Sequence, residues 1–271
     1  MADILAKIME TKRGEIAAAK SRVSEDEMKA RAADSPSPRN FFKAMTQPEN
    51  RLRVIAEVKK ASPSAGLIRE DFDPVKIARA YYEAGAAAIS CLTDEHYFQG
   101  SLDYIAQIKE DVPLPVLRKD FMLDTYQVYE ARAAGADAIL LIAECIESDA
   151  HLLDMIILAT ELKLTTLIEM HSVENLLRVR PHVGFPHPKY VLLGINNRDL
   201  TTMTTDINHT LRVADMIEDT SILVSESGIK THDDIKRLQS AGINRVLVGE
   251  HLMRQPDVGA ALRTLMHGDD A

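Results

Sequence analysis

From residue 54 onward the chain repeats one pattern: a short, continuous apolar run, then a longer stretch with helical signals. The runs are VIAEVK (54–59), AISCLT (88–93), PVLRKD (115–120), AILLIAE (138–144), TTLIEM (165–170), YVLLGIN (190–196), SILVSES (221–227) and RVLVGE (245–250). There are eight, and their starts lie 23 to 34 residues apart. Runs that stay apolar instead of alternating predict strands covered on both faces. Between them, Asp73-Pro74 reads as an N-cap with proline at the first helical position. Ser148, Ser172 and Thr231 are further N-cap candidates.

A small internal repeat sets the register: EAGAAAI (83–89), AAGADAI (133–139) and SAGINRV (240–246). In each, a helix closes at alanine, glycine takes the left-handed cap, and a strand begins two or three residues on. Such units imply parallel strands with right-handed crossovers. Eight of them predict an α/β fold of the (β/α)8 (TIM) barrel type. A doubly wound sheet would carry GxGxxG after an early strand, and no such motif occurs. Residues 1–33 read as two helices, the first with Ile4, Leu5, Ile8 and Met9 on one face, the second opened by a Ser24/Glu27 capping box. DSPSPR (34–39) then breaks regular structure. The expected organisation is a single domain, 1–271, with an N-terminal helical extension (1–50) and a barrel (51–271).

Composition narrows the function. The chain has 271 residues and a formal net charge of −9, from 32 basic and 41 acidic side chains. That balance argues against nucleic-acid binding, which needs a basic surface. The charged N-terminus lacks the apolar stretch of a signal peptide, and no run approaches the ~18 residues of a membrane span. Cys91 and Cys145 lie in apolar segments without metal-ligand spacing, as expected of buried free thiols in a cytoplasmic protein. No HxH or HExxH pattern joins His96, His171 or His251, so no metal is expected. Met122, Met170 and Met253 read as packing residues.

In a barrel of this type, chemistry collects at the C-terminal ends of the strands. Those ends read Glu57-Val58-Lys59-Lys60, Arg118-Lys119-Asp120, Glu169-Met170-His171, Asn196-Asn197-Arg198-Asp199, Glu226-Ser227-Gly228 and Gly249-Glu250. The period of two puts Glu57 and Lys59 on one face, and Asn196 and Arg198 on one face. Charges inside apolar strands are costly unless paired, so their recurrence at one end of several strands marks a site. Ser227-Gly228 and Gly249 precede helices after the last two strands, a frequent phosphate position in this fold. The residues alone therefore point to an enzyme acting on a small phosphorylated anion. A Schiff-base lyase with Lys119 or Lys59 as nucleophile, and a noncatalytic metabolite-binding barrel, are the competing readings.

At these residues the chain resembles the indole-3-glycerol-phosphate synthase family. The resemblance runs through IAEVKKASPSAG (55–66), ISCLTDEHYFQGS (89–101), PVLRKDFMLDTYQVYEARAAGADAILLI (115–142), LIEMHS (167–172), LGINNRDLTT (193–202), VSESGI (224–229) and VLVGEHLM (246–253). It implies a lyase of tryptophan biosynthesis. That reaction closes the ring of 1-(2-carboxyphenylamino)-1-deoxyribulose 5-phosphate, with loss of carbon dioxide and water, to give indole-3-glycerol phosphate without a cofactor. The resemblance makes Lys119 the general acid at the C2′ carbonyl and Glu169 the general base in the dehydration, with Glu57, Lys59 and Asn196 beside them. The division of acid roles between Lys119 and Lys59 is left open. Ser62, Asn196 and Arg198 match positions that hold the anthranilate part, with Glu226 near the same pocket. Ser227, Gly228 and Gly249 match the phosphate site, and Phe121 and Leu140 are expected to pack on the ring.

Two positions depart from some family members: Glu250 stands in place of a phosphate-binding serine, and His171 in place of an asparagine. The expectation for Glu250 is that its amide serves phosphate while its side chain turns away. Positive charge from Lys59, Lys119 and Arg198 should then gather at the barrel mouth of an otherwise acidic protein. The expected partner is a phosphorylated small molecule, with no nucleic acid and no membrane, and the expected state is a monomer or weak oligomer.

Overall fold

The structure, a computed structural model, describes residues 4–184, 186–198 and 204–268. Asp199 and the DLTT end of the sixth-strand motif lie outside the described residues. Eight parallel strands close into a barrel: β1 (Arg53–Val58), β4 (Ala88–Leu92), β5 (Val116–Lys119), β6 (Ala138–Ile142), β7 (Thr165–Met170), β8 (Val191–Asn196), β9 (Leu223–Glu226) and β10 (Arg245–Val248). Each pairs with its sequence neighbour and β10 closes onto β1. The eight runs are thus the eight strands, although the seventh starts two residues late because Thr220–Ile222 forms a 3-10 turn.

The N-cap candidates act as caps. Asp73, Ser148, Ser172 and Thr231 each accept from backbone N–H groups at the starts of α4 (Pro74–Glu83), α8 (Asp149–Glu161), α9 (Val173–Val179) and α11 (His232–Ser240). The repeated glycines Gly85, Gly135 and Gly242 take φ values of 94°, 88° and 78°, the left-handed stop the repeat predicts.

The extension closes both ends of the barrel. At the N-terminal end sits α3 (Phe41–Thr46), a short helix the sequence pattern did not indicate. Phe41 and Met45 are fully buried there, and Phe42 N–H donates to Thr165 Oγ1 at the start of β7. At the C-terminal end of the strands lies α1 (Ile4–Arg22), whose buried stripe is Ile8, Lys12 and Ile16, four residues apart. Lys12 is 4% exposed, and its ammonium meets Asp94 and Asp120, both at 2.9 Å, and Glu15 at 2.6 Å. These aspartates sit just past β4 and β5, so α1 is pinned to two loops of that face. Tyr126 Oη adds donation to the Ala19 and Val23 carbonyls. Cys91 and Cys145 are buried thiols, and Met122, Met170 and Met253 are packed in the core. No helix among the described residues is long and apolar enough to cross a membrane.

Candidate active site

A cavity of about 820 Å³ opens at the C-terminal ends of the strands. All fourteen site residues expected from the sequence line it: Glu57, Lys59, Ser62, Lys119, Phe121, Leu140, Glu169, Asn196, Arg198, Glu226, Ser227, Gly228, Gly249 and Glu250. Strand register explains the gathering. Glu169 sits beside Ile142 and Gly194, and Asn196 beside Glu226, in adjacent strands. Three residues of α1, Ile4, Leu5 and Ile8, complete the wall. Nothing in the hydrophobic pattern of the extension indicates that it supplies part of the cavity.

Polar groups cluster at its floor. Lys119 Nζ lies 2.7 Å from Glu169 Oε2 and 3.5 Å from Glu226 Oε2. Asn196 Nδ2 donates to the other Glu169 oxygen at 2.8 Å. Lys59 donates to Glu57 Oε1. Burial works to lower the Lys119 ammonium, but the charges of Glu169, Glu226 and Glu57 outweigh it and hold the lysine above its ordinary value. Burial works to raise Glu169, yet Lys119, then His171, then the donated hydrogen bonds keep its carboxyl well below the usual range. Glu226 goes the other way. Burial and the Glu169 charge push its carboxyl well above that range against the pull of Lys119. Neither Glu226 oxygen has a hydrogen-bond partner among the described residues. Two buried carboxyls with opposed shifts around one ammonium form an acid–base constellation.

Two glycines make room for these carboxylates. A Cβ at Gly194 would run into Glu226 Oε1, and one at Gly249 into the Glu57 carboxylate. Gly249 therefore does more than precede a helix. Its missing side chain lets Glu57 reach the centre. An apolar wall faces the charged floor, formed by Leu140, Ile142, Leu92, Phe98 and Phe121. The rings of Phe98 and Phe121 are tilted, with centroids 6.1 Å apart.

The expected phosphate corner differs in construction. α11 begins only at His232, so Ser227 and Gly228 are not helix N-terminal residues. They form a bend with successive left-handed φ values of 67° and 78°, and both line the cavity. Ser227 is a non-glycine residue held in a sparsely populated conformation, the kind of strain that clusters at functional sites.

The Glu250 carboxylate turns to two guanidinium groups at the mouth. It accepts from Arg198 at 2.9 Å and from Arg254 at 3.0 and 3.1 Å, because two guanidinium groups offset its charge there. Burial would raise its carboxyl, but these two bonds hold it below its ordinary value. Arg198 also donates to Ser64 Oγ at 2.6 Å. Ser64 belongs to a small hairpin of β2 (Ala61–Ser62) and β3 (Gly66–Leu67), which the sequence pattern did not reveal. Lys59, Lys119 and Arg198 gather at the mouth as expected, and each faces at least one carboxylate.

A family model described as indole-3-glycerol phosphate synthase matches residues 5–265. The chain belongs to the indole-3-glycerol phosphate synthase family. It is 50% identical over 263 residues to the indole-3-glycerol phosphate synthase of Rhodopirellula baltica, covering 97% of this chain and 98% of that one. It is 46% identical over 268 residues to that of Rhodospirillum rubrum, covering 98% and 100%. Among solved structures it resembles 3-hexulose-6-phosphate synthase from Salmonella typhimurium, with a TM-score of 0.62, 14% identity and coverage of 80% and 98%. Thiamine phosphate pyrophosphorylase from Pyrococcus furiosus gives 0.55, 17%, 80% and 94%. At such identities these two likenesses concern the barrel fold alone.

Proposed function

We propose that this chain closes the indole ring of 1-(2-carboxyphenylamino)-1-deoxyribulose 5-phosphate, releasing carbon dioxide and water, at the Lys119–Glu169–Asn196 cluster. The observation that carries the role assignment is a buried ammonium held between an ionised and a neutral carboxyl on the floor of an apolar-walled cavity. Ring closure needs the C2′ carbonyl oxygen protonated as the aromatic carbon attacks, and Lys119 is the acid. The new carbon–carbon bond forms at the carbon that bears the carboxylate, so loss of carbon dioxide restores the ring. Dehydration then needs a base and an acid. Glu169 removes the proton, and Lys59, paired with Glu57, protonates the departing hydroxyl.

Arg198 offers a planar fork to the substrate carboxylate. Ser62 and Asn196 flank that end, and Phe121 and Leu140 pack on the ring. The amides of Ser227, Gly228, Gly249 and Glu250 receive phosphate. An iminium route would require Lys119 as a neutral amine, and the Glu169 carboxylate at 2.7 Å favours its charged form. The test is indole fluorescence on addition of the substrate, against a chain that contains no tryptophan. Wild type is expected to make product with no borohydride-trapped adduct, and Lys119→Ala to be folded and inactive. Near-normal turnover by Lys119→Ala would refute the assignment.

A further inference from the structure

Beside the cluster lies a second arrangement that the catalytic reading does not use. Past the end of β7, His171 stands between two carboxylates. Its Nδ1 is 3.2 Å from Glu144 Oε2, and its Nε2 is 3.5 Å from Glu169 Oε1. Glu144 is itself fixed. Its Oε1 accepts from the His171 amide at 2.9 Å and from Asn175 Nδ2 at 2.8 Å, and Asn175 Oδ1 accepts from Arg178 at 3.1 Å. The imidazole is only 12% exposed and is absent from the cavity lining, so it reaches the reaction only through Glu169.

We propose that His171 is a positioning residue for Glu169: anchored by Glu144, its imidazolium holds Glu169 Oε1 from the side opposite Lys119 and keeps that carboxylate ionised and fixed for proton removal. Carboxylate–imidazole pairs of this kind set ring orientation and protonation through the far nitrogen. The charged groups that face His171 are Glu144 from the turn after β6, Glu169 from its own strand, Lys119 from β5 and His209 from α10 (Asn208–Ala214). Burial works to lower the imidazolium. The close contact with Glu144, then the charges of Glu169 and Glu144, outweigh it and raise its ionisation above that of an ordinary histidine. Lys119 opposes this, and His209, its own ionisation lowered by burial and then by Arg212, meets the His171 backbone.

The inference rests on Glu169 as the base, and its test separates the two. In His171→Asn the neutral side chain removes one of two cations from Glu169, so the acidic limb of the kcat profile should rise by about one pH unit. KM should stay within about threefold, because the ring does not touch substrate. Glu144→Gln should move the limb the same way by less. A histidine serving packing alone would lower stability and leave the limb in place, and that result would overturn the proposal. The direct readout needs no turnover. In histidine-labelled protein, the imidazole resonance that Glu144→Gln perturbs should titrate above the ordinary histidine range in wild type and fall in the variant. Titration at or below that range in wild type refutes the proposal even if the variants do not fold. Absence of indole product from wild type, with this resonance behaving as expected, would instead refute the catalytic reading.

Discussion

Lys12→Met tests whether the extension belongs to the active site. Lys12 is a buried cation with three carboxylate neighbours, two of them anchored on the catalytic face. Methionine keeps an unbranched stem of similar length and removes the charge. Breaking a buried pair by removing one partner costs ~3–5 kcal/mol, since the remaining charge is stranded. Asp120 is not stranded here. It keeps Arg118 at 3.2 Å and the Thr93 hydroxyl at 2.6 Å. Among the described residues, the Asp94 side chain keeps its cap to the Tyr97 amide at 2.7 Å, and with Asp120 still paired the low end, about 3 kcal/mol, is expected.

For a domain of this size that corresponds to a fall in Tm of about 6–12 °C. Because Ile4, Leu5 and Ile8 line the cavity, loosening α1 should also raise KM, by about threefold or more, with a smaller change in kcat. Thermal unfolding and steady-state kinetics on the same preparation read both. A Tm within about 1 °C of wild type together with unchanged KM would refute the claim that this cluster pins the helix. The pH dependence has a fixed sign. Burial works to raise Asp120, but Arg118 and Lys12 outweigh it and hold its carboxyl below the ordinary value. Its contribution is therefore complete above its unfolded pKa and is lost as pH falls through the lower folded value. The difference in stability between wild type and Lys12→Met should shrink only in strong acid.

Glu169→Gln should lower kcat by about 10²–10⁴ in protein that still unfolds cooperatively, and a loss under tenfold would remove Glu169 as the base. Glu226→Gln should cost less than about tenfold in kcat at neutral pH, because burial and Glu169 already keep that carboxyl neutral and the amide preserves its shape. A loss as large as that of Glu169→Gln would show that Glu226 acts as an anion. Gly249→Ala places a Cβ against the Glu57 side chain. It should reduce kcat and cost about 1–3 kcal/mol, read by activity and denaturant midpoint, and a neutral result would mean Glu57 can move aside freely.

The barrel was legible because its signals are local. Unbroken apolar runs, caps such as Asp73 and Thr231, and the Ala-Gly stops each act within a few residues and agree with one another. Site membership was legible for a related reason, since strand ends of one parallel barrel share one face. Partnerships were not. Lys12 meets Asp120 across 108 positions of chain, and nothing near either residue announces the pair. Glu144, at the end of its run, carried no reading of its own, and its contact with the His171 amide emerges only because β6 and β7 are neighbours. The α3 plug is a single turn and a half, too short for periodicity to register. Gly194 carried no reading of its own and Gly249 read only as a phosphate position, because the carboxylates they accommodate come from other strands.

How an acidic chain admits a doubly anionic substrate follows from the unequal strength of its ion pairs. The outer pair, Arg198 with Glu250, is 23% and 29% exposed, and at that exposure an ion pair contributes only ~0–1 kcal/mol. A substrate carboxylate can replace Glu250 on the guanidinium at little cost, and Glu250 retains Arg254 when it lets go. The inner pair, Lys119 with Glu169, is 15% and 4% exposed and shares its charges with Glu226 and Asn196. Separating it would strand a buried charge and cost several kcal/mol. Exchange is therefore confined to the rim, where recognition needs it, while the floor keeps its protons where the chemistry needs them. Pairing the mouth charges also removes the need for a positive field over the whole protein, which is why a net charge of −9 and an anionic substrate are compatible.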